Sequence, residues 1–511
     1  MAAVDPAVRW IVKTAGLCSP TPACPFFAAF LFLGGLSLPL RWRPETRTPT
    51  RLTVKGPLVG TRFSGLAATA LAACVGFGQA AAAAETFIRD SEIEADIRTM
   101  VTPIWKAAGL EPSALHVYLI EDNQINSFVA GGQNEFINTG LIMRAKTPNQ
   151  LIGVLAHETG HIAGGHLTRF QDAVRNASIE GIIAMVIGAA ATVIGKGSGG
   201  GAAMLPAEGV AQRAFLQYSV TQEASADHAA MTFLDASGQS ARGLLEFFQV
   251  LQGEELLSGT REDPYLRSHP LTSQRIEYVR NHVEHSRFSD VPDSAANIEM
   301  LKRIKVKLGA FTSTPSATLA AYPEKDQSVL ARYARAIAYY RIPNLDKALP
   351  IIDGLVREYP SDPYFRELKG QMLFENGRVT DAIQPYEEAV RLAPGAALLR
   401  ISLAQTYIEA NDPKMNKRAI AFLNDALRTE HKETQGWHLL AAAYGRDDQI
   451  GMAALALAEE GLAAGKKKIA QQQALRAKGL LPKNSAGYSR ADNIHHEAEQ
   501  IEDAGDVANS R

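Results

Sequence analysis

Downstream of residue 84 the apolar positions switch period several times, and each switch marks an element. From Glu85, "SEIEADIRTMVTPIWKAAG" spaces its apolar residues for an amphipathic helix, with Ser91 placed to cap an acidic first turn. "SALHVYLIED" and "NSFVAGGQNEFINTGLI" are rich in β-branched and aromatic residues and broken by Gly and Asn, which predicts short strands. "TPNQLIGVLAHETGHIAGGHL" returns to helical spacing, opened by Thr147 with Pro148 in the first turn and stopped at Gly164-Gly165. Helices are also predicted on "QYSVTQEASADHAAMTFLDASG" and "LRSHPLTSQRIEYVRNHV". The pattern predicts an α+β domain over residues 85–300.

From about residue 326 the chain reads as helical throughout, with an internal period. Ala336 recurs as Gly370, Tyr339 as Leu373, Ala348 as Ala382 and Pro360 as Pro394, each 34 positions on. A third unit keeps Ala404 and Tyr407 in step. Three extra residues in "NDPKMNKRA" would then make Ala419 its second-helix alanine. Trp437, Tyr444 and Ala453 continue a fourth unit. Small residues at these steps let paired helices approach closely, and the pattern resembles the tetratricopeptide repeat. That resemblance implies an all-α solenoid over 326–480 whose concave face suits peptides or partner proteins. Residues 301–325 read as a linker, and the polar tail 481–511 as disordered.

The first 84 residues read as a targeting region with an uncertain start. "FSGLAATALAACVGFGQAAAAAE" has a basic approach, an apolar centre and small residues before Glu85, the pattern of a cleavable secretory signal. Ala23–Leu40 offers a membrane anchor as an alternative, and "LAAC" offers lipidation at Cys74. Removing residues 1–84 moves the formal charge from -2 to -8. Nothing in that balance calls for nucleic-acid binding. All three cysteines lie within this region, so a downstream metal must rest on His and carboxylates. The apolar stretch 181–195 is too short to span a bilayer; a lid, a lipid-surface contact and a buried hairpin arm all fit it.

"LAHETGHIAGGH" carries the chemistry. His157 and His161 stand four apart on one helical face, so both imidazoles can reach one cation. Glu158 lies one step round, placed to face a water rather than to ligate. A third histidine in the extended motif would fall at 167, which is Leu167; His166 reads as an ordinary loop residue. The better third ligand is Glu223 in "TQEASADHAA", with Asp227 one turn on, placed to hold the ring N–H of a ligand histidine. Two histidines and a glutamate with an open position form a catalytic zinc arrangement.

"HETGH", "EASAD" and "HPLTSQR" together resemble the M48 family of zinc metallopeptidases, over about residues 88–285. The resemblance implies a zincin-like (gluzincin) fold and an endopeptidase with one Zn2+ per chain. It implies His157, His161 and Glu223 as ligands, Glu158 as general base and Asp227 as the orienting residue. It also places His269 and Arg275 near the metal. Either could stabilise an oxyanion, or His269 could fill the open position and keep the enzyme latent. "NSFVAGGQNEFINTGLI" resembles the edge strand to which an extended substrate would add. With a signal and repeats, the whole is similar to periplasmic protease–chaperones that maintain outer-membrane protein assembly. The implied partners are unfolded or misassembled envelope proteins and the assembly machinery, met through the repeats. The competing reading is a non-proteolytic chaperone or adaptor with a vestigial metal site.

Overall fold

The computed structural model describes residues 86–166, 220–258, 265 and 269–499. The targeting region, the apolar stretch 181–195 and residues 500–511 lie outside them.

Four short strands form one sheet in the order β1-β2-β4-β3: β1 Thr86–Ile88, β2 His116–Glu121, β3 Ser127–Ala130 and β4 Asn134–Asn138. β2 and β4 run parallel, β1 is antiparallel to β2, and β3 is antiparallel to β4, which leaves β3 at an edge. Strand alternation sorts the two faces. Val117, Leu119 and Ile137 join the core beneath, while the rings of Phe87, Tyr118, Phe136 and Phe128 line up on the other face. β1 departs from the sequence expectation of helix from Glu85. Helix α1, Ser91–Ala107, starts only after it, and its cap is Asp90 rather than Ser91: the Asp90 carboxylate accepts from the backbone N–H of Glu92 and Ile93.

After the short α2, Thr139–Arg144, helix α3 covers Pro148–Ala163 and opens as the sequence indicates, with the Thr147 side chain accepting from Gln150 N–H. α3 runs through the middle of the domain, and every residue from Leu151 to His161 is buried. Two glycines permit this. A Cβ at Gly160 would lie 2.7 Å from the Ala226 carbonyl oxygen of α4, Val220–Ala236. One at Gly153 would lie 2.8 Å from the Leu244 nitrogen of α5, Arg242–Ser258. Helix α6, Ser273–His285, is capped by Thr272.

The stretch expected as a linker is helical: α7 spans Ala295–Thr312 and α8 Pro315–Ala321. Leu301, Ile304, Leu308 and Phe311 of α7 are buried, so this helix belongs to the core and joins the peptidase half to the repeats. Paired helices follow: α9 Val329–Arg341 with α10 Leu345–Glu358, α11 Pro363–Glu375 with α12 Val379–Leu392, α13 Ala397–Glu409 with α14 Pro413–Ala426, and α15 Thr434–Arg446 with α16 Ile450–Ala463. A further pair, α17 Lys467–Leu480 and α18 Ala486–Glu499, corrects the expected disordered tail as far as residue 499. Its buried Ala491, Ile494 and Ala498 are small or apolar at helical spacing within a polar stretch. The three extra residues also fall elsewhere than expected. α14 starts 34 positions after α12, and Asn416 occupies the Ala348 and Ala382 step, bonded to the Ala443 carbonyl. The insertion is in the α14–α15 connection.

That longer connection reaches the sheet. Arg89, just after β1, meets Glu430 at 2.8 Å and Glu433 at 2.9 Å in the connection, and Glu94 of α1 at 2.9 Å. Deeper in the seam, Lys307 of α7 lies 2.7 Å from Asp90 and 2.9 Å from Glu92, whose carboxylate also accepts from Tyr333 Oη. One hydrophobic core runs from Ile88 through Trp105 and Leu155 to Tyr333, Phe365 and Met372. No described helix is long and apolar enough to cross a membrane.

Candidate metal centre

α3 and α4 pack face to face through Gly160, which brings the residues of "HETGH" against those of "EASAD". His157, His161, Glu223 and His269 are all fully buried, and one ligand atom from each lies within 4.8 Å of the others. The His157 and His161 Nε2 atoms are 3.1 Å apart. Glu223 brings its oxygens to 3.4 Å from His157 Nε2 and 3.3 Å from His161 Nε2. His269 Nδ1 is 3.1 Å from Glu223 Oε1 and 3.4 Å from His157 Nε2.

These separations fit a metal. Ligand atoms about 2.0–2.1 Å from a tetrahedral zinc stand about 3.3–3.4 Å apart along each edge, close to the 3.1–3.4 Å found between these donors. Charge agrees with that. Burial opposes ionisation of Glu223, yet His269, His157 and His161 hold its carboxyl far below the ordinary range. Burial pushes the His161 imidazole well down, towards the neutral form that a ligand needs. Burial would lower His157 too, but its bonds with Asp227 and Glu223 lift it to about 9.

Around the cluster, Asp227 Oδ1 is 2.9 Å from His157 Nδ1, the ring nitrogen turned away from the donors. Arg275 grips the same carboxylate through Nε at 2.6 Å and Nη2 at 2.9 Å. It also reaches Glu223 Oε2 at 2.6 Å and donates to the Pro270 carbonyl. Its guanidinium sits over the Phe248 ring. Three acceptors therefore hold Arg275 behind the carboxylates. Thr272 supplies the cap of α6, and His269 of the "SHP" turn joins the cluster, stacked on Tyr265 at 4.6 Å.

Glu158 is fully buried, and neither of its oxygens has a hydrogen bond among the described residues. Its Oε1 lies 3.5 Å from His269 Nε2. Burial raises its carboxyl above the ordinary range, against the pull of His269 and His157. On β4 the buried Glu135 shares this situation, pushed well up by burial and by Glu158, its oxygens also without a hydrogen bond among the described residues. It shares a sheet face with the core residue Ile137 (β4 alternation), a placement the sequence reading did not register. His166, read from the sequence as an ordinary loop residue and not a ligand, lies in the turn after α3 with its Nδ1 3.0 Å from His161 Nδ1.

A helix presenting two histidines and a glutamate to a carboxylate from a second helix, beside a small sheet, defines a metal-dependent peptidase. Comparison with known proteins narrows the class. Residues 64–283 match the model of peptidase family M48, and residues 317–363, 333–397 and 373–443 match tetratricopeptide-repeat models. The chain is 23% identical over 387 residues to the beta-barrel assembly-enhancing protease of Yersinia pestis, covering 74% of this chain and 78% of that one. It is 24% identical to the protein of the same name in Escherichia coli K12, covering 64% and 67%. The metalloprotease YcaL of Escherichia coli K12 is 28% identical over 173 residues, 34% of this chain and 63% of that one. The chain carries an M48 peptidase domain followed by tetratricopeptide repeats, and it is a metalloprotease.

Proposed function

We propose that this chain is an exported zinc endopeptidase acting on misfolded or stalled outer-membrane proteins in the periplasm. His157, His161 and Glu223 hold the ion. The observation that carries the reading is the convergence of those three donors beside Glu158, a buried carboxyl with no hydrogen bond among the described residues. Zinc bound there supplies an acidified water and a Lewis acid for the scissile carbonyl. Glu158 takes the proton of the attacking water and hands it to the leaving amine. An extended substrate pairs with β3, the edge strand of the described sheet, its backbone N–H and C=O groups adding to the ladder. Asp227 and Arg275 orient the site, since the Arg275 guanidinium is committed to two carboxylates and a carbonyl. His269, within the same donor cluster, would be a further ligand in a latent state and would give way to an entering substrate. The repeats recruit substrate or assembly partners. The substrate class rests on relatives whose name is beta-barrel assembly-enhancing protease.

Glu158→Gln tests this. Peptide hydrolysis should fall by roughly 10²–10⁴-fold, the usual contribution of a general base, with zinc content unchanged. Proteins retained on this variant in cells identify the substrates. Undiminished complementation by Glu158→Gln would favour the adaptor reading instead.

A further inference from the structure

The two histidines of α3 turn their outer ring nitrogens to different partners. His157 Nδ1 faces the Asp227 carboxylate at 2.9 Å, whereas His161 Nδ1 faces His166 Nδ1 at 3.0 Å. A continued helix would carry His166 to the opposite side of α3. Instead α3 stops at Ala163, and Gly165 adopts the left-handed region at φ +62°. The turn closes with His166 N–H on the His161 carbonyl at 3.2 Å and Gly165 N–H on Ile162 at 3.1 Å. It lays the His166 ring edge-on to His161, centroids 5.1 Å apart at 73°. Gly164 leaves the room: a Cβ there would lie 2.6 Å from His166 Nε2.

We propose that His166 is a positioning residue for the metal centre, accepting the Nδ1–H of His161 and so fixing that ring with its Nε2 lone pair turned to the ion. A neutral imidazole carries one ring proton, so a bond to its Nδ1–H settles which nitrogen can ligate. His161 Nε2 is the nitrogen in the donor cluster, 3.1 Å from His157 Nε2. Its Nδ1 must therefore hold the proton, and His166 must accept it on Nδ1. The "GGH" that ends "LAHETGHIAGGH" thereby does for His161 what Asp227 does for His157. It does so with an uncharged acceptor.

This inference rests on the metal-site reading, and one titration separates the two. Zinc affinity is measured by chelator competition on the full chain, its His166→Leu, His166→Gln and Gly164→Ala variants, with thermal melting of each metal-free form as the fold check. His166→Leu should bind zinc about 10–100-fold more weakly, the usual cost of losing a partner of a ligand. His166→Gln, which keeps an acceptor oxygen, should recover part of that loss. Gly164→Ala keeps the imidazole but forces it off His161, so it should weaken zinc in the same direction even if His166→Leu fails to fold. A parent that holds zinc while both His166→Leu and Gly164→Ala bind it within twofold of parent overturns the inference alone. A parent that takes up no zinc overturns the metal centre, and this inference with it.

Discussion

At the seam between sheet and repeats each buried cation is answered by carboxylates: Arg89 by Glu94, Glu430 and Glu433, Lys307 by Asp90 and Glu92. At the centre the groups are aimed at one another. Three imidazoles and a carboxylate crowd together at 3.1–3.4 Å, and Glu158 makes no hydrogen bond among the described residues. Burying polar groups costs free energy unless they are matched. The seam is matched within the chain, so its task is to fix the peptidase against its repeats. The centre instead turns donor atoms of His157, His161, Glu223 and His269 towards one point, where a cation would sit among them. The difference separates structural polarity from chemical polarity.

The largest effect expected outside the site follows from Arg89. Arg89→Ala leaves one buried and two partly buried carboxylates facing each other, and removal of one partner of a buried ion pair costs roughly 3 kcal/mol or more. Thermal melting should show that loss with zinc content unchanged; a parallel loss of zinc would mean the two clusters are not independent. Gly370 tests the repeats alone. A Cβ there would lie 2.8 Å from the Tyr386 ring, so Gly370→Ala should destabilise by about 1–3 kcal/mol through overpacking, while peptidase activity per folded molecule stays level. Asp96 of α1 gives the smallest effect. Burial and neighbouring Glu92 push its carboxyl up to about 7. With the folded value above the unfolded one, its favourable contribution is complete below about pH 4 and disappears as pH rises through 7. Asp96→Asn should therefore raise the melting midpoint at pH 8 relative to wild type and do little at pH 4. An equal gain at both values would remove Asp96 from the pH dependence of the seam.

Much of this was legible in local sequence. Thr147 and Pro148 open α3, and the 34-residue step sets the helix pairs from α9 to α14, because caps and small packing residues act over a few positions. The four-residue spacing of Glu223 and Asp227 puts both on one helical face, and both side chains lie at the His157 ring. Other features depended on tertiary partners. α7 reads as a linker until its apolar stripe meets the core, and α18 until its alanines pack. The inserted residues could not be assigned to the α14–α15 connection without Arg89 as their target. His166 looked like a loop residue because a helical wheel cannot anticipate a left-handed glycine that turns the chain back.

Elemental analysis of the purified full-length protein beside Glu223→Gln is the most direct test of the central claim. One zinc per chain should be found in the former, and the latter should lose it during dialysis against a chelator that spares the parent. A folded parent that stays without zinc after loading, or a variant that retains the ion as firmly as its parent, would contradict the account.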